Sequence, residues 1–299
     1  MKKIISLALC ALMIFTCVAT LASCSDKKFV AVDATDLLKE DFGIAVKKGN
    51  TTLLNKVNEV VDEWVKDGTM AKYVDYYTKL AEYEEGVEGA TAPDANGLKL
   101  TWDFGSATEV ITVYTESGFA PFEFISNGNI IGVDIAIMNE VAVKMGKKVD
   151  VKDVGFDTIP TCVSTSQGDA VGAAGLTIND ERKEVVDFSN IYYSSTLVVV
   201  SAEKTAISSV KDLSGLKVGV QKGTSGDLII SAAKTSTGYQ YVTENDAGDE
   251  VTVTVKVDAS TTVSQYEQYA LALADLKAGR IDAILMDKLP AQTMLSISK

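Results

Sequence analysis

No histidine occurs among the 299 residues. That removes Ser-His-Asp and Cys-His nucleophiles, His-containing zinc sites and imidazole proton shuttles from the available chemistry. What remains is a set of charged and hydroxyl side chains at the edges of apolar runs. Arg182 lies in the segment TINDER. A guanidinium fork binds both oxygens of a carboxylate in one plane, which a lysine ammonium cannot do, although by composition alone an arginine after a turn is more often solvated. Thr224 and Ser225 stand where KVGVQ turns toward a helix, and backbone N–H groups at a helix N-terminus attract anions. The glycines there, Gly219, Gly223 and Gly226, are spaced G-x-x-x-G-x-x-G. This is neither a dinucleotide fingerprint nor a Walker A loop, so nucleotide binding has no support, and a tight strand-to-helix turn needs glycine in any case. Asp287 follows the apolar run IDAILM, where an aspartate most often caps the next helix. The acidic turn at 244–250 lacks the oxygen spacing of a calcium loop and reads as a solvated hairpin end. No metal and no cofactor is expected.

The elements that must position these groups belong to an ordinary globular chain, 46% hydrophobic and 23% charged, long enough for two domains. With 28 Lys and Arg against 41 Asp and Glu the net charge is −13, which gives no attraction for phosphate backbones, so nucleic acid is not an expected partner. Residues 1–23 carry two lysines and then an apolar run, the pattern of a secretory signal. The tetrapeptide Leu21-Ala22-Ser23-Cys24 resembles the lipobox of bacterial lipoproteins, which implies cleavage before Cys24 and lipidation of its thiol. Cys10 and Cys17 would leave with the signal and Cys162 would remain alone, so no intramolecular disulfide is expected. The membrane would be a partner through the lipidated Cys24 only.

Along the chain, KFVAVDA and FGIAVKKG read as strands separated by a charged turn. Leu53, Val57, Val60, Val61 and Trp64 recur at helical spacing with Asn50 or Thr51 as cap and Gly68 as stop. A second helix follows with Tyr73, Val74, Tyr77 and Leu80 on one face. Residues 85–107 lose periodicity and gather Gly, Pro, Ala and Asn, a linker with a short strand expected at 98–102. Strands are expected at 110–114, 149–154 and 281–285, and helices at 133–145, from Asp227, and at 266–276. Residues 244–258 alternate on their valines as an inserted ribbon. Alternation of strand and helix argues for α/β units on largely parallel sheets.

Between 114 and 193 the chain reads GFAPFEF, IIGVDIAIMNEVAVKMG and FDTIPTCVSTSQGDAVGAAGLTINDERKEVVDFSNIYY, and it continues with VKDLSGLKVGVQKGTSGD and YALALADLKAGRIDAILMDKLPA. These segments resemble the polar-amino-acid class, family 3, of solute-binding proteins that feed bacterial ABC importers. The resemblance covers most of 108–295 and implies a two-lobed α/β fold of the periplasmic-binding-protein type II, lobes joined by a two-strand hinge. In that family a segment like FGIAVKKGNTTLLNKVNEVVDEWVKDGTMAKYVDYY closes the chain; here it comes first, at 28–78. The order therefore looks like a circular permutation, which surface termini lying close together tolerate. On this reading 24–44 is the terminal strand of lobe 2, 45–84 the helices of lobe 1, 85–107 the linker, 108–194 lobe 1, 195–201 the hinge and 202–299 lobe 2. The lobes would be crossed near 43–46 and 197–200.

A free amino acid presents a carboxylate, an ammonium and a side chain, so its site must satisfy two opposite charges with fixed partners. The resemblance implies Arg182, with Thr224 and Ser225, for the carboxylate, and Asp287, the Gly175 carbonyl and the Thr177 hydroxyl for the ammonium. It implies Phe119 and Phe156 as the aromatic sandwich, and Glu116, Asp134, Gln221 and Met286 around the side chain. Two carboxylates there would favour a cationic or amide side chain, with Asp134 equally able to serve as a structural partner. The implied function is a carrier, not an enzyme, that binds a free polar or cationic amino acid and meets ABC permease subunits. A dehydratase-like enzyme would need a poised acid or base, for which Glu116 is the one candidate. A ligand sensor would need a partner protein to read the closed state.

Overall fold

The computed structural model describes residues 28–34, 37, 39–244 and 250–298. The signal segment 1–23, Cys24 and most of the acidic turn, 245–249, lie outside the described residues.

Two sheets organise the chain. In the first, the central strand Val110–Thr115 pairs in parallel with Lys148–Asp153 on one side and Asp169–Gly172 on the other. The sheet then continues antiparallel through Ala45–Lys47 to Val186–Phe188. The segment that precedes the linker therefore supplies a strand between two strands that follow it. The helix Thr51–Lys66 starts at Asn50, whose side chain accepts the Leu53 N–H at 3.2 Å, and buries Leu53, Val57, Val60, Val61 and Trp64, the stripe that the spacing predicts. In the next helix, Thr69–Glu84, the buried residues are Met70, Tyr73, Tyr77 and Ala81, while Val74 and Leu80 are half-buried. Its Tyr73 stacks on Trp64 at 4.5 Å between centroids. Both helices and Val133–Met145 pack their apolar sides into one core with Ile111, Val113 and Val171.

The second sheet runs in the order Phe29–Asp33, Tyr193–Ala202, Ala283–Asp287, Lys217–Gln221, Thr262–Tyr266. Its near-continuous apolar strands are what a sheet covered on both faces requires, with Val199, Val218, Ile229 and Leu285 in one core cluster. Phe29 faces Ala202 and Asp33 faces Val198 in antiparallel register, so the first described strand closes an edge of this sheet.

The chain passes between the sheets as a two-stranded ribbon: Lys39–Phe42 lies antiparallel to 193–196, with Phe42 opposite Tyr193 and Lys39 opposite Thr196. The crossing thus lies upstream of both 43–46 and 197–200, because Ala45 and Val46 already pair with the first sheet and Leu197 through Ser201 are already in register with Ala283–Asp287. Four other expectations also shift. Residues 98–102 form no strand: Leu98, Leu100, Trp102 and Phe104 alternate inward on the first core, yet no ladder partner lies beside them. Tyr73 Oη donates to Lys99 O at 2.7 Å and Trp102 Nε1 to Glu140 Oε2 at 3.0 Å, so the linker is pinned by side chains instead. The ribbon begins earlier than expected, pairing Tyr239–Glu244 with Glu250–Val255. Tyr266 ends a strand and the helix starts at Tyr269. The helix expected from Asp227 starts at Ser225, capped by Thr224. Among the described residues no helix is long and apolar enough to cross a membrane, and no group of three or more His, Cys, Asp or Glu is arranged to hold a metal.

Candidate functional site

The edges of the two sheets face each other across a cleft, and the polar residues singled out above meet there. Arg182 is held from both ends. Asn179 caps the short helix Asp180–Lys183 by accepting the Arg182 backbone N–H at 2.8 Å. The buried guanidinium donates from Nη1 to Thr177 O at 2.8 Å and from Nη2 to Gly223 O at 3.0 Å, the latter across the cleft. Its central carbon stands 5.3 Å from the centroid of the Phe156 ring, a cation–π distance. Thr177 is itself tied to the crossing strand, since Ile178 N donates to Asp41 O at 2.8 Å and Gly43 N to Leu176 O at 3.0 Å.

On the opposite wall Thr224 caps the helix Ser225–Ala233, accepting Asp227 N at 3.3 Å, and its hydroxyl donates to Gln221 O at 2.7 Å. Ser225 Oγ reaches Thr177 Oγ1 at 3.1 Å, a second contact across the cleft. Glu116 is almost wholly buried. Its Oε2 accepts from Gln221 Nε2 at 2.8 Å and its Oε1 from Gln268 Nε2 at 2.6 Å, and burial pushes its carboxyl up despite both bonds. Asp287 ends its strand and precedes the helix Lys288–Ile297, but its side chain makes no capping bond and Oδ1 has no partner. Burial pushes it well above the usual carboxylate range.

The walls nearly meet, leaving a cavity of about 10 Å³ lined by Glu116, Phe119, Phe156, Gly175, Thr177, Gln221, Thr224, Ser225 and Asp287. Gly175 needs its glycine: with φ at +55° a Cβ would lie 2.7 Å from the Phe119 ring. A larger groove, about 550 Å³, lies between Ala81, Phe124, Leu273 and Met294, but it lacks a convergent set of buried charges.

Two expected residues lie elsewhere. Met286 lines that larger groove, because successive residues of a strand point to opposite faces and Asp287 takes the cleft side. Asp134 is fully buried behind the cleft, where its Oδ2 accepts from Gly175 N and Tyr192 Oη, both at 2.9 Å. It is the structural partner, holding the Gly175 turn in place. One residue was missed: Glu40, on the crossing strand, is 3% exposed and lines the gap. The signal was available, since Lys39 is exposed and Glu40 and Phe42 are buried in alternation.

Burial raises the Asp134 pKa from 3.8 to about 7. The folded protein therefore keeps a proton that the unfolded chain releases, so this group's effect on stability is a fall as pH rises from about 4 to about 7, then a plateau. Asp134→Asn cannot ionise and should gain in melting temperature relative to the native protein across that window. A difference between the two that stays constant from pH 4 to 8 would contradict the assignment.

Two α/β lobes, a two-strand crossing and a charged cleft between sheet edges define the type II periplasmic-binding-protein fold. Residues 111–286 match the model of the bacterial extracellular solute-binding proteins, family 3, and the chain belongs to that family. It is 36% identical over 119 residues to the arginine-binding extracellular protein ArtP of Bacillus subtilis, covering 40% of this chain and 46% of that protein. With the L-arginine-binding protein of Pseudomonas aeruginosa it shares 30% over 184 residues, 61% of this chain and 62% of the relative. The chain thus spans less than two thirds of the length of these relatives. Among solved structures, an ancestral arginine-binding protein bound to arginine superposes with a TM-score of 0.52 at 32% identity, covering 62% of this chain and 73% of the other.

Proposed function

We propose that this chain is an extracytoplasmic carrier that closes on a cationic amino acid and hands it to the permease of an ABC importer. The observation that carries this reading is the charge count of the cleft: buried Glu116, Asp287 and Glu40 line it, and the buried guanidinium of Arg182 stands near Glu40 and Asp287. A ligand bearing one carboxylate and two cations brings a net positive charge that offsets part of this acidic excess, as a neutral or acidic amino acid would not, and buried charges persist only when paired. In this reading Arg182 and the N-terminus of the helix Ser225–Ala233 take the α-carboxylate. Asp287, with the Thr177 hydroxyl and the Gly175 carbonyl, takes the α-ammonium. Glu116, oriented by Gln221 and Gln268, takes the side-chain cation, and Phe119 and Phe156 flank its methylenes. Relatives named as arginine-binding proteins support this class of ligand. They are binding proteins, not enzymes.

Lipid attachment at Cys24 is part of the proposal and rests on the tetrapeptide Leu21-Ala22-Ser23-Cys24. So is the circular permutation. It is supported by the strands Phe29–Asp33 and Ala45–Lys47, which precede the linker yet complete sheets otherwise built from later segments. A thermal-shift screen of the purified protein against the twenty amino acids, ornithine and cystine tests the function. At about a hundred times the dissociation constant a ligand of the folded state adds ~2.7 kcal/mol, so arginine, lysine or ornithine should raise the melting temperature by about 5 °C or more. Equal shifts with aspartate and glutamate, or no shift with any amino acid on a sharp transition, would sink the reading.

A further inference from the structure

Glu40 belongs to neither wall of the cleft. It is carried by Lys39–Phe42, one of the two strands of the crossing, and points inward with Phe42. Glu40 lies opposite Ser195 in the ribbon and Asp287 lies opposite Leu197, two residues farther along the same strand; both residues line one gap with Ser225 and Thr177, and Arg182 is near enough to act on Glu40 as a charge. The other titratable groups that face it are Tyr269 and Tyr239. Asp287 is faced by Arg182, Tyr193, Tyr269 and the buried Glu123. Among the described residues Arg182 is thus the single cation serving both carboxylates, and its Nη1 and Nη2 already donate to the carbonyls of Thr177 and Gly223. Two adjacent buried carboxylates under these conditions do not both ionise; a proton shared between them removes the repulsion and supplies the missing donor.

We propose that Glu40 and Asp287 act as one proton-sharing pair at the ammonium end of the cleft, releasing that proton to solvent when the ligand's ammonium binds. The proposal rests on the reading of the cleft as an amino-acid site. On binding, the carboxyl O–H bond breaks, the proton passes to buffer, and N–H donors of the ammonium take its place between two carboxylates. Burial, which pushes Glu40 up and Asp287 further up, agrees with a pair that is not doubly ionised near neutrality. It also makes Glu40 a ligand-binding residue, so the crossing strand senses occupancy directly.

Calorimetric titration of the full chain with L-arginine and with L-glutamine, at pH 6.5 in two buffers of different ionisation enthalpy, reads the released protons. Glutamine carries the α-ammonium but no side-chain cation, so release with it does not come from Glu116. The expected result is close to one proton released per ligand bound, affinity tightening by up to tenfold per pH unit as pH rises toward neutrality, and loss of both effects in Glu40→Gln, which binds more weakly but measurably. Should that variant fail to fold, the proton count and the pH slope of the native protein decide alone. Binding with an enthalpy independent of buffer overturns the pair and leaves the amino-acid site standing. Binding of neither ligand overturns the amino-acid site, and the pair with it.

Discussion

Arg182→Ala is expected to weaken amino-acid binding by about a hundred- to a thousandfold and to leave the fold intact. Removing one partner of a buried, hydrogen-bonded charge pair costs roughly 3–5 kcal/mol, chiefly because the other charge is left unpaired. Here the loss is compounded. The same guanidinium that would face a ligand carboxylate also donates to Thr177 O on its own wall and to Gly223 O on the other, so the variant loses both an anchor and a tie that draws the lobes together. Arg182→Lys should recover little, since one ammonium cannot reproduce a planar fork bonded in two directions. Calorimetry gives the affinity, and far-ultraviolet circular dichroism with a melting curve gives the fold. An Arg182→Ala protein that binds within about threefold of the native value would remove Arg182 from the site.

Gly223→Ala should weaken binding by about tenfold or more through closure rather than contact. Gly223 has φ at +75°, and a Cβ there would lie 2.7 Å from Asp157 Cβ and 3.0 Å from Asp157 Cα on the opposite wall. Atoms that close must separate, and the neighbouring Lys222–Asp157 ion pair, 2.8 Å long and also spanning the cleft, would separate with them. The left-handed backbone adds a cost of about 1–2 kcal/mol for any residue with a side chain. Gly215→Ala separates the two effects: its φ is +77°, yet its nearest neighbour to a new Cβ is Ser260 Oγ at 3.6 Å, away from the cleft. Small-angle scattering of the saturated proteins should show Gly223→Ala more open than the native protein and Gly215→Ala indistinguishable from it. Equal affinities for the two variants would place the hindrance in the local backbone and not in closure.

Much of the fold was legible because each long element carries its own period. The stripe Leu53, Val57, Val60, Val61, Trp64 and the run ending at Gly146 mark helices that no neighbour overrides. Where the period depends on a partner, the reading drifted. Leu98 to Phe104 alternates like a strand but has no strand beside it, and Tyr239–Glu244 reads as a strand only once Glu250–Val255 is laid against it. The crossing was placed too late for the same reason: 193–196 and Leu197 onward belong to one unbroken strand, and only its change of partner marks the boundary. Within the cleft, residue type and family pattern brought together Glu116, Phe119, Thr177, Gln221, Ser225 and Asp287, which do line one gap. Asp134 and Met286 escaped that logic because a position one residue along a strand, or one layer behind an aromatic ring, faces another surface. Glu40 was hidden in KEDF, which resembles a charged turn until Phe42 reveals the face that Glu40 shares.

The strand Phe29–Asp33 has a mechanical consequence. Its Asp33 end lies opposite Val198, next to the crossing, and its Phe29 end lies opposite Ala202, some 13 Å farther along at about 3.3 Å per residue. Lys28 there pairs with Glu203 at 2.9 Å. Lys28, the first described residue, thus stands at the end of the second lobe remote from the hinge. A tether fixed upstream would make that lobe the stator and the lobe bearing Arg182 the rotor, so each capture event would swing the arginine wall toward a grounded partner.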